Sequence, residues 1–228
     1  MQKRAFTLTE LLIALGVVGA IAAVSIPSLM STINNRVLAS QLKNTVVGIQ
    51  QVIDEQLTRN HTSSLSDTDF HSADTLLSDT NFSTSKQCKA DKSTSDCWKT
   101  TGQTPASKNI QYKKLNGQDY GMLFAAPAVI IKNGAVISYL KAESAPFQYE
   151  GITDKLIGFI QVDINGSEGP NIVGRDFFSF YVTDKGKIVD RYYDQDNVTL
   201  TTKQADCSSG SPFACFGAVV DDGWRIRY

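Results

Sequence analysis

Phe6-Thr7-Leu8-Thr9-Glu10-Leu11-Leu12-Ile13-Ala14-Leu15-Gly16-Val17-Val18-Gly19-Ala20-Ile21-Ala22-Ala23-Val24-Ser25-Ile26-Pro27-Ser28-Leu29-Met30 holds a single formal charge, Glu10, in 25 residues. The sixteen residues from Leu11 to Ile26 carry none. As a helix rising about 1.5 Å per residue, the stretch is long enough to cross a hydrocarbon core of about 30 Å. Lys3 and Arg4 precede it with no acid beside them, so the positive-inside bias predicts a cytoplasmic N-terminus and places all that follows the span outside. A carboxylate in such a span costs about 2.5–3.5 kcal/mol on insertion scales for ionisable groups, so Glu10 predicts a partner. A cleaved secretory signal also has a basic start and an apolar run, and Ala22-Ala23-Val24-Ser25 could mimic its cleavage site. Such runs are shorter, about 7 to 15 residues, and rarely begin with an acid. A plain single-pass anchor accounts for the length and leaves Glu10 unexplained.

The pattern then becomes amphipathic. Ile33, Val37, Leu38, Leu42, Val46, Ile49, Ile53 and Leu57 recur at helical spacing, while Arg36, Gln41, Lys43, Asn44, Gln51, Asp54 and Glu55 take the other faces. This predicts one helix from Phe6 to about Thr58, roughly 80 Å long, membrane-spanning over 6–30 and amphipathic over 31–59. Pro27 removes a backbone bond and is expected to bend it. The apolar stripe needs cover, and a sheet from the C-terminal half is the expected cover.

From 60 to 108 Ser and Thr dominate, as in His61-Thr62-Ser63-Ser64-Leu65-Ser66-Asp67-Thr68 and Ser93-Thr94-Ser95. The reading is a surface excursion with some short helix, pinned by cysteines, since a structureless loop of this length is unusual. The four cysteines form two close pairs, Cys88 with Cys97 and Cys207 with Cys215. Three connectivities are open; the extracytoplasmic location and the clustering favour two local disulfides. Zinc is the competing reading, but the intervals, with His61 and His71 upstream, lack the C-x-x-C spacing of zinc sites.

Residues 109–228 read as an antiparallel sheet of about four to six strands. Tyr120 to Ala126 is apolar; Ala128 to Lys132 and Ala135 to Leu140 flank Asn133-Gly134, a hairpin signal; Ile157 to Ile164 follows; and Phe177 to Thr183 faces Lys187 to Tyr192 across Asp184-Lys185-Gly186. Gly217 to Val220, a turn at 221–223 and the alternating Trp224 to Tyr228 are expected to close the sheet. The loop Asp163 to Asp176 spaces oxygen donors at Asp163, Asn165, Ser167 and Glu168 around glycines, which offers calcium a ligand set. The twelfth-position Glu of a helix-loop-helix calcium site is missing. The alternative is that Asp163 and Asn165 make turn bonds to the backbone and Arg175 pairs with a nearby acid.

Ala5-Phe6-Thr7-Leu8-Thr9-Glu10-Leu11-Leu12-Ile13-Ala14-Leu15-Gly16, behind the leader Met1-Gln2-Lys3-Arg4-Ala5, resembles the processing site of type IV prepilins and type II secretion pseudopilins. The resemblance covers about the first 25 to 30 residues. It implies an α+β, pilin-like fold, a leader at 1–5 removed by a prepilin peptidase between Ala5 and Phe6, N-methylation of Phe6, and a mature chain in which Glu10 is fifth. Ala5 replaces the usual Gly, and Thr9 stands where an aliphatic residue is commoner. In this family the fifth-position carboxylate meets the N-terminal amine of a neighbouring subunit. Pro27 matches a helix-bending proline of pilins, and related chains carry a segment similar to Asp163–Asn171, with calcium bound in a sheet-connecting loop of some major pseudopilins. The implied partners are other pilin or pseudopilin subunits, the prepilin peptidase, an inner-membrane assembly platform and, before assembly, membrane lipid.

Enzymatic chemistry finds little footing. The two histidines lie in the polar stretch, and no nucleophile elbow, phosphate-cradling Gly loop or metal-binding His pair occurs. With 22 basic and 23 acidic residues the chain offers no overall electrostatic footprint for nucleic acid. The expectation is a filament subunit, a minor pilin or pseudopilin rather than the major one. The alternative is a membrane-anchored or tip-located adhesin.

Overall fold

The computed structural model describes residues 7–71, 76–78, 82–88, 97–98, 100–101, 109–110, 112–121, 127–141, 154–166 and 168–228. The leader, the expected cut after Ala5 and the apolar run 122–126 lie outside them. The fold is α+β: one long N-terminal helix, a six-stranded antiparallel sheet and two short C-terminal helices.

Helix α1 runs from Leu8 to Arg59, 52 residues, with Pro27 inside it. Its first half is exposed, with Leu11, Leu15, Val18, Ile21, Val24 and Ile26 all uncovered by the described residues. The second half is buried along one stripe, Ala39, Leu42, Val46, Ile49, Ile53 and Gln56. Each fully buried aliphatic side chain there contributes about 2 kcal/mol of transfer free energy. Ile33 and Val37 remain 44% and 49% exposed, so the covered stripe starts later than the periodicity suggested.

The sheet has the order β1-β4-β5-β6-β7-β8, with β1 Thr84–Cys88, β4 Ala128–Ile131, β5 Val136–Lys141, β6 Leu156–Asp163, β7 Phe177–Thr183 and β8 Ile188–Val189. The short β2 Thr100–Thr101 and β3 Asn109–Ile110 pair separately. Strands β6 and β7 are buried on both faces. Ile160, Val162, Phe178, Phe180 and Val182 join the α1 stripe in the main core, while Phe159, Tyr181 and Val189 form a smaller cluster covered by Phe213. Asn133-Gly134 does turn the β4–β5 hairpin, but only Gly134 takes a positive φ, +90°. The Asn133 side chain instead accepts the Ala135 N–H at 3.0 Å.

Three expectations need correction. The described parts of 60–108 are not all surface excursion: the expected short helix is present as two 3-10 turns, Leu65–Asp67 and Asp69–His71, but β1 is an edge strand of the main sheet, and Leu65, Phe70, Leu76, Leu77, Phe82 and Trp98 are buried. The region from Gly217 to Val220 is helix, not strand. Helix α2, Leu200–Ser209, is capped by Thr199, and α3, Pro212–Asp221, by Ser211 with Pro212 in its first turn, the combination that starts a helix. The tail from Trp224 to Tyr228 joins no strand, although its alternation is real, with Ile226 buried between exposed Arg225 and Arg227.

Candidate functional site

At the start of α1, Thr7 and Glu10 form a capping box. The Thr7 hydroxyl accepts the Glu10 N–H at 3.2 Å, and Glu10 Oε2 accepts the Thr7 N–H at 2.9 Å and the Thr7 O–H at 2.8 Å. This satisfies two orphan donors of the first turn and sets a negative charge at the positive end of the helix dipole. Both donors converge on Oε2, leaving Oε1 without a partner among the described residues. Glu10 is exposed, at the free end of a helix whose apolar window has no buried residue. The helix is long and apolar enough to cross a membrane.

Small residues make the exposed half of α1 approachable. A Cβ added at Gly16 or Gly19 would meet nothing within 4 Å, and Ala20 and Ala23 continue the pattern. Such residues let helix backbones come close in lipid or in a bundle.

In the loop after β6 the expected calcium ligands differ in burial and in partners. Asp163 is fully buried, accepts a hydrogen bond from the Tyr112 hydroxyl and accepts the Asn165 N–H at 3.3 Å. Burial pushes its carboxyl well above the usual range, against the Tyr112 bond, and the nearby Asp176 pushes the same way. Asn165 donates to the Gly169 carbonyl at 2.8 Å, Glu168 is exposed, and Ser167 lies outside the described residues. Asp176 accepts the Ile172 N–H at 2.6 Å and the Asn171 N–H at 2.5 Å; burial nevertheless raises its pKa to about 6. Among the described residues no three His, Cys, Asp or Glu side chains gather as a metal site. Asp163 and Asp176 turn inward to Tyr112 and to backbone donors, and turn bonds engage Asp163 and Asn165, while Asn165 Oδ1 and Asn171 Oδ1 are buried without a partner among the described residues. Arg175 lowers the pKa of Asp176 electrostatically.

Cys88 is bonded to Cys97 and Cys207 to Cys215. The second disulfide ties α2 to α3 and packs on the Gly174 backbone, where a Cβ would lie 2.8 Å from either sulfur. The Tyr228 hydroxyl donates to the Gly174 carbonyl at 2.9 Å, so the tail, the disulfide and the loop lock together.

Two polar centres escaped the sequence reading. Asp184, in the β7–β8 turn, accepts the Ser64 hydroxyl at 2.9 Å, the Ser66 N–H at 2.9 Å and the Ser66 hydroxyl at 2.5 Å. Burial opposes its charge, but those donors and Lys155 hold its carboxyl below the usual range. Lys203 on α2 bridges Asp190 at 2.6 Å and Asp221 at 2.8 Å. Burial works against its charge, yet the two carboxylates hold its pKa above the usual lysine range. The only sequence signal for either was a polar residue beside an apolar run. Next to Lys203 a groove of about 750 Å³ opens between α1 and the C-terminal helices, lined by Val47, Lys187, Tyr192, Tyr193 and Trp224 among others.

No family model, curated protein or solved structure matches the chain.

Proposed function

We propose that the protein is a membrane-inserted filament subunit of the type IV pilin or pseudopilin kind, structural rather than catalytic, assembled through the exposed half of α1. The observation that carries this reading is a 52-residue helix whose apolar first half is bare while its second half is built into the α+β head. So much exposed aliphatic surface requires lipid or other helices around it. The N-terminal motif supports processing by a prepilin peptidase between Ala5 and Phe6, methylation of Phe6, and delivery through an inner-membrane platform.

Glu10 serves two states in this reading. In the bilayer the Thr7 cap and the helix dipole offset part of the cost of its charge. In the filament its free oxygen receives the amine of Phe6 from a neighbouring subunit, which neutralises both groups. With β1 and buried residues such as Leu65 and Phe70 of the 60–108 stretch built into the head, the preference for a minor subunit over a major one rests on chain length alone. The groove beside Tyr192 and Trp224 favours a second reading, a tip-located binding module. Glu10→Ala, which retains the apolar helix, is expected to stay processed and membrane-bound but to disappear from sheared filaments; wild-type incorporation would remove the assembly role. Ligand capture by the full chain with filament incorporation unaffected would favour the binding module.

A further inference from the structure

Arg36 is the first formal charge after Glu10. From Met30, the end of the apolar run, α1 rises about 9 Å to this residue. The headgroup layer on each side of a bilayer is about 5 to 8 Å thick, and an arginine stem can lie along apolar surface while its head reaches for phosphate. The C-terminal tail returns to the same height. Asn35 Nδ2 donates to the Ile226 carbonyl at 3.5 Å, which sets Arg225 and Arg227 beside this turn of α1.

A groove of about 870 Å³ lies between α1 and the tail, with Arg36, Lys43, Arg225 and Arg227 in its wall beside Asn35 and Trp224, and no acid among the described residues lines it. Arg227 is held by Asp222, Nε to carboxylate 2.6 Å, so its charge is compensated. The neighbouring Asp221 is engaged by Lys203. Arg36, Lys43 and Arg225 have no ion pair among the described residues and are exposed. A chain with formal net charge −1 thus concentrates three exposed cations without an ion pair in one groove at the foot of its head, where Asp222, already held by Arg227, reaches Arg225 through its field alone.

We propose that this groove binds the phosphate of an anionic phospholipid headgroup, phosphatidylglycerol in type, from the leaflet that α1 leaves, with Arg36 and Arg225 making the contacts. The inference rests on the membrane-spanning reading of α1. Guanidinium groups suit phosphate because their planar forks donate in pairs. Lys43, two helical turns farther from the membrane, adds potential rather than contact, and the Trp224 ring is of the kind that settles at headgroup level. A lipid held there fixes the depth and tilt of the waiting subunit, and leaving the bilayer requires releasing it.

The test is native mass spectrometry of the full chain released from detergent micelles that contain equal phosphatidylglycerol and phosphatidylcholine. The wild type is expected to retain phosphatidylglycerol selectively. Arg36→Gln with Arg225→Gln lowers that retention about thirtyfold, near fivefold per charge. Arg59→Gln with Lys185→Gln, exposed cations near the far end of α1, leaves it unchanged. Equal retention of both lipids, or undiminished phosphatidylglycerol on the Arg36/Arg225 double variant, overturns the assignment. Displacement of phosphatidylglycerol by millimolar inorganic phosphate at constant ionic strength assigns the groove to free phosphate and overturns it as well. Recovery of the chain from the soluble fraction removes the membrane reading together with this one, whereas membrane retention with unselective lipid binding removes this one alone.

Discussion

Gly186, in the β7–β8 turn, lies directly against Ile53 of α1: a Cβ there would come within 2.8 Å of Ile53 Cγ2 and 2.9 Å of Leu57 Cδ1. Gln50 Nε2 donates to the Gly186 carbonyl at 2.9 Å, so the turn is bolted to the helix by a hydrogen bond and by close packing. Gly186 also has φ of +79°. Gly186→Ala is therefore expected to cost about 2–4 kcal/mol, combining left-handed backbone strain with overpacking. Gly117 provides the comparison, because its φ is +83° but open space surrounds it. Gly117→Ala should lose only the backbone part, about 1 kcal/mol. Chemical denaturation of the two variants, followed by circular dichroism, separates the terms; equal losses would show that the contact with α1 adds nothing.

The buried carboxylates predict an unusual acid response. The pKa of Asp176 is raised to about 6, against about 3.9 in an unfolded chain. Between those values the folded state binds more protons, so its stability rises as pH falls from above 6 toward 4, by at most about 3 kcal/mol. Asp163 acts in the same direction. Asp184 is the opposite case: its carboxyl lies below the usual range, so its contribution is present above the unfolded pKa and is lost as pH falls through the lower folded value. The melting temperature should climb by several degrees from pH 7 to about pH 4.5 and fall below about pH 4. Asp176→Asn should flatten the climb and leave the fall. A wild-type melting temperature that is constant between pH 7 and 5 would contradict the raised value.

The parts legible in the sequence were those where one physical demand dominates. The apolar half of α1 is bare in this fold, so its composition answers to its surroundings alone, and β6 and β7 are buried on both faces, so nearly every residue is apolar. Helix α3 failed for the same reason: Gly217-Ala218-Val219-Val220 looks like a buried strand because the helix is covered almost all round. Periodicity disappears under such cover, and the cap Ser211-Pro212 was the remaining signal. In the Ser/Thr-rich stretch, isolated apolar residues such as Leu65 and Phe70 each fill a separate place in the core, a pattern without a period. Glu10 and the cysteine pairs were visible; the inward turn of Asp163 toward Tyr112 was not, since a residue 51 positions away supplies the donor.

The disulfide Cys207–Cys215 closes a short loop, with a sequence separation of 8, so its removal should cost about 2–3 kcal/mol by chain entropy. Its position adds a local consequence. The sulfurs rest on Gly174, whose carbonyl receives the Tyr228 hydroxyl. Replacing both cysteines by serine should therefore speed amide exchange at 171–176 and in the tail as well as within α2 and α3. Exchange confined to the two helices would mean that the Gly174 contact carries no stability.

The bare half of α1 predicts a separation between folding and assembly. Among the described residues nothing lies within 4 Å of a Cβ built at Gly16 or Gly19. Gly19→Leu should leave the head as stable as the wild type, or slightly more so, because glycine disfavours a helix interior by about 1 kcal/mol relative to alanine. If neighbouring helices approach along Gly16, Gly19, Ala20 and Ala23, the added side chain pushes them apart and filament incorporation falls sharply. Gly48 is the internal control: it too has open space around its Cβ position, but it lies on the head-bound half of α1. Gly48→Ala should raise stability by up to about 1 kcal/mol and leave assembly unchanged. Incorporation of Gly19→Leu at the wild-type level would show that the small residues do not set the distance between subunits, and helix contacts in the filament would then have to run along another face of α1.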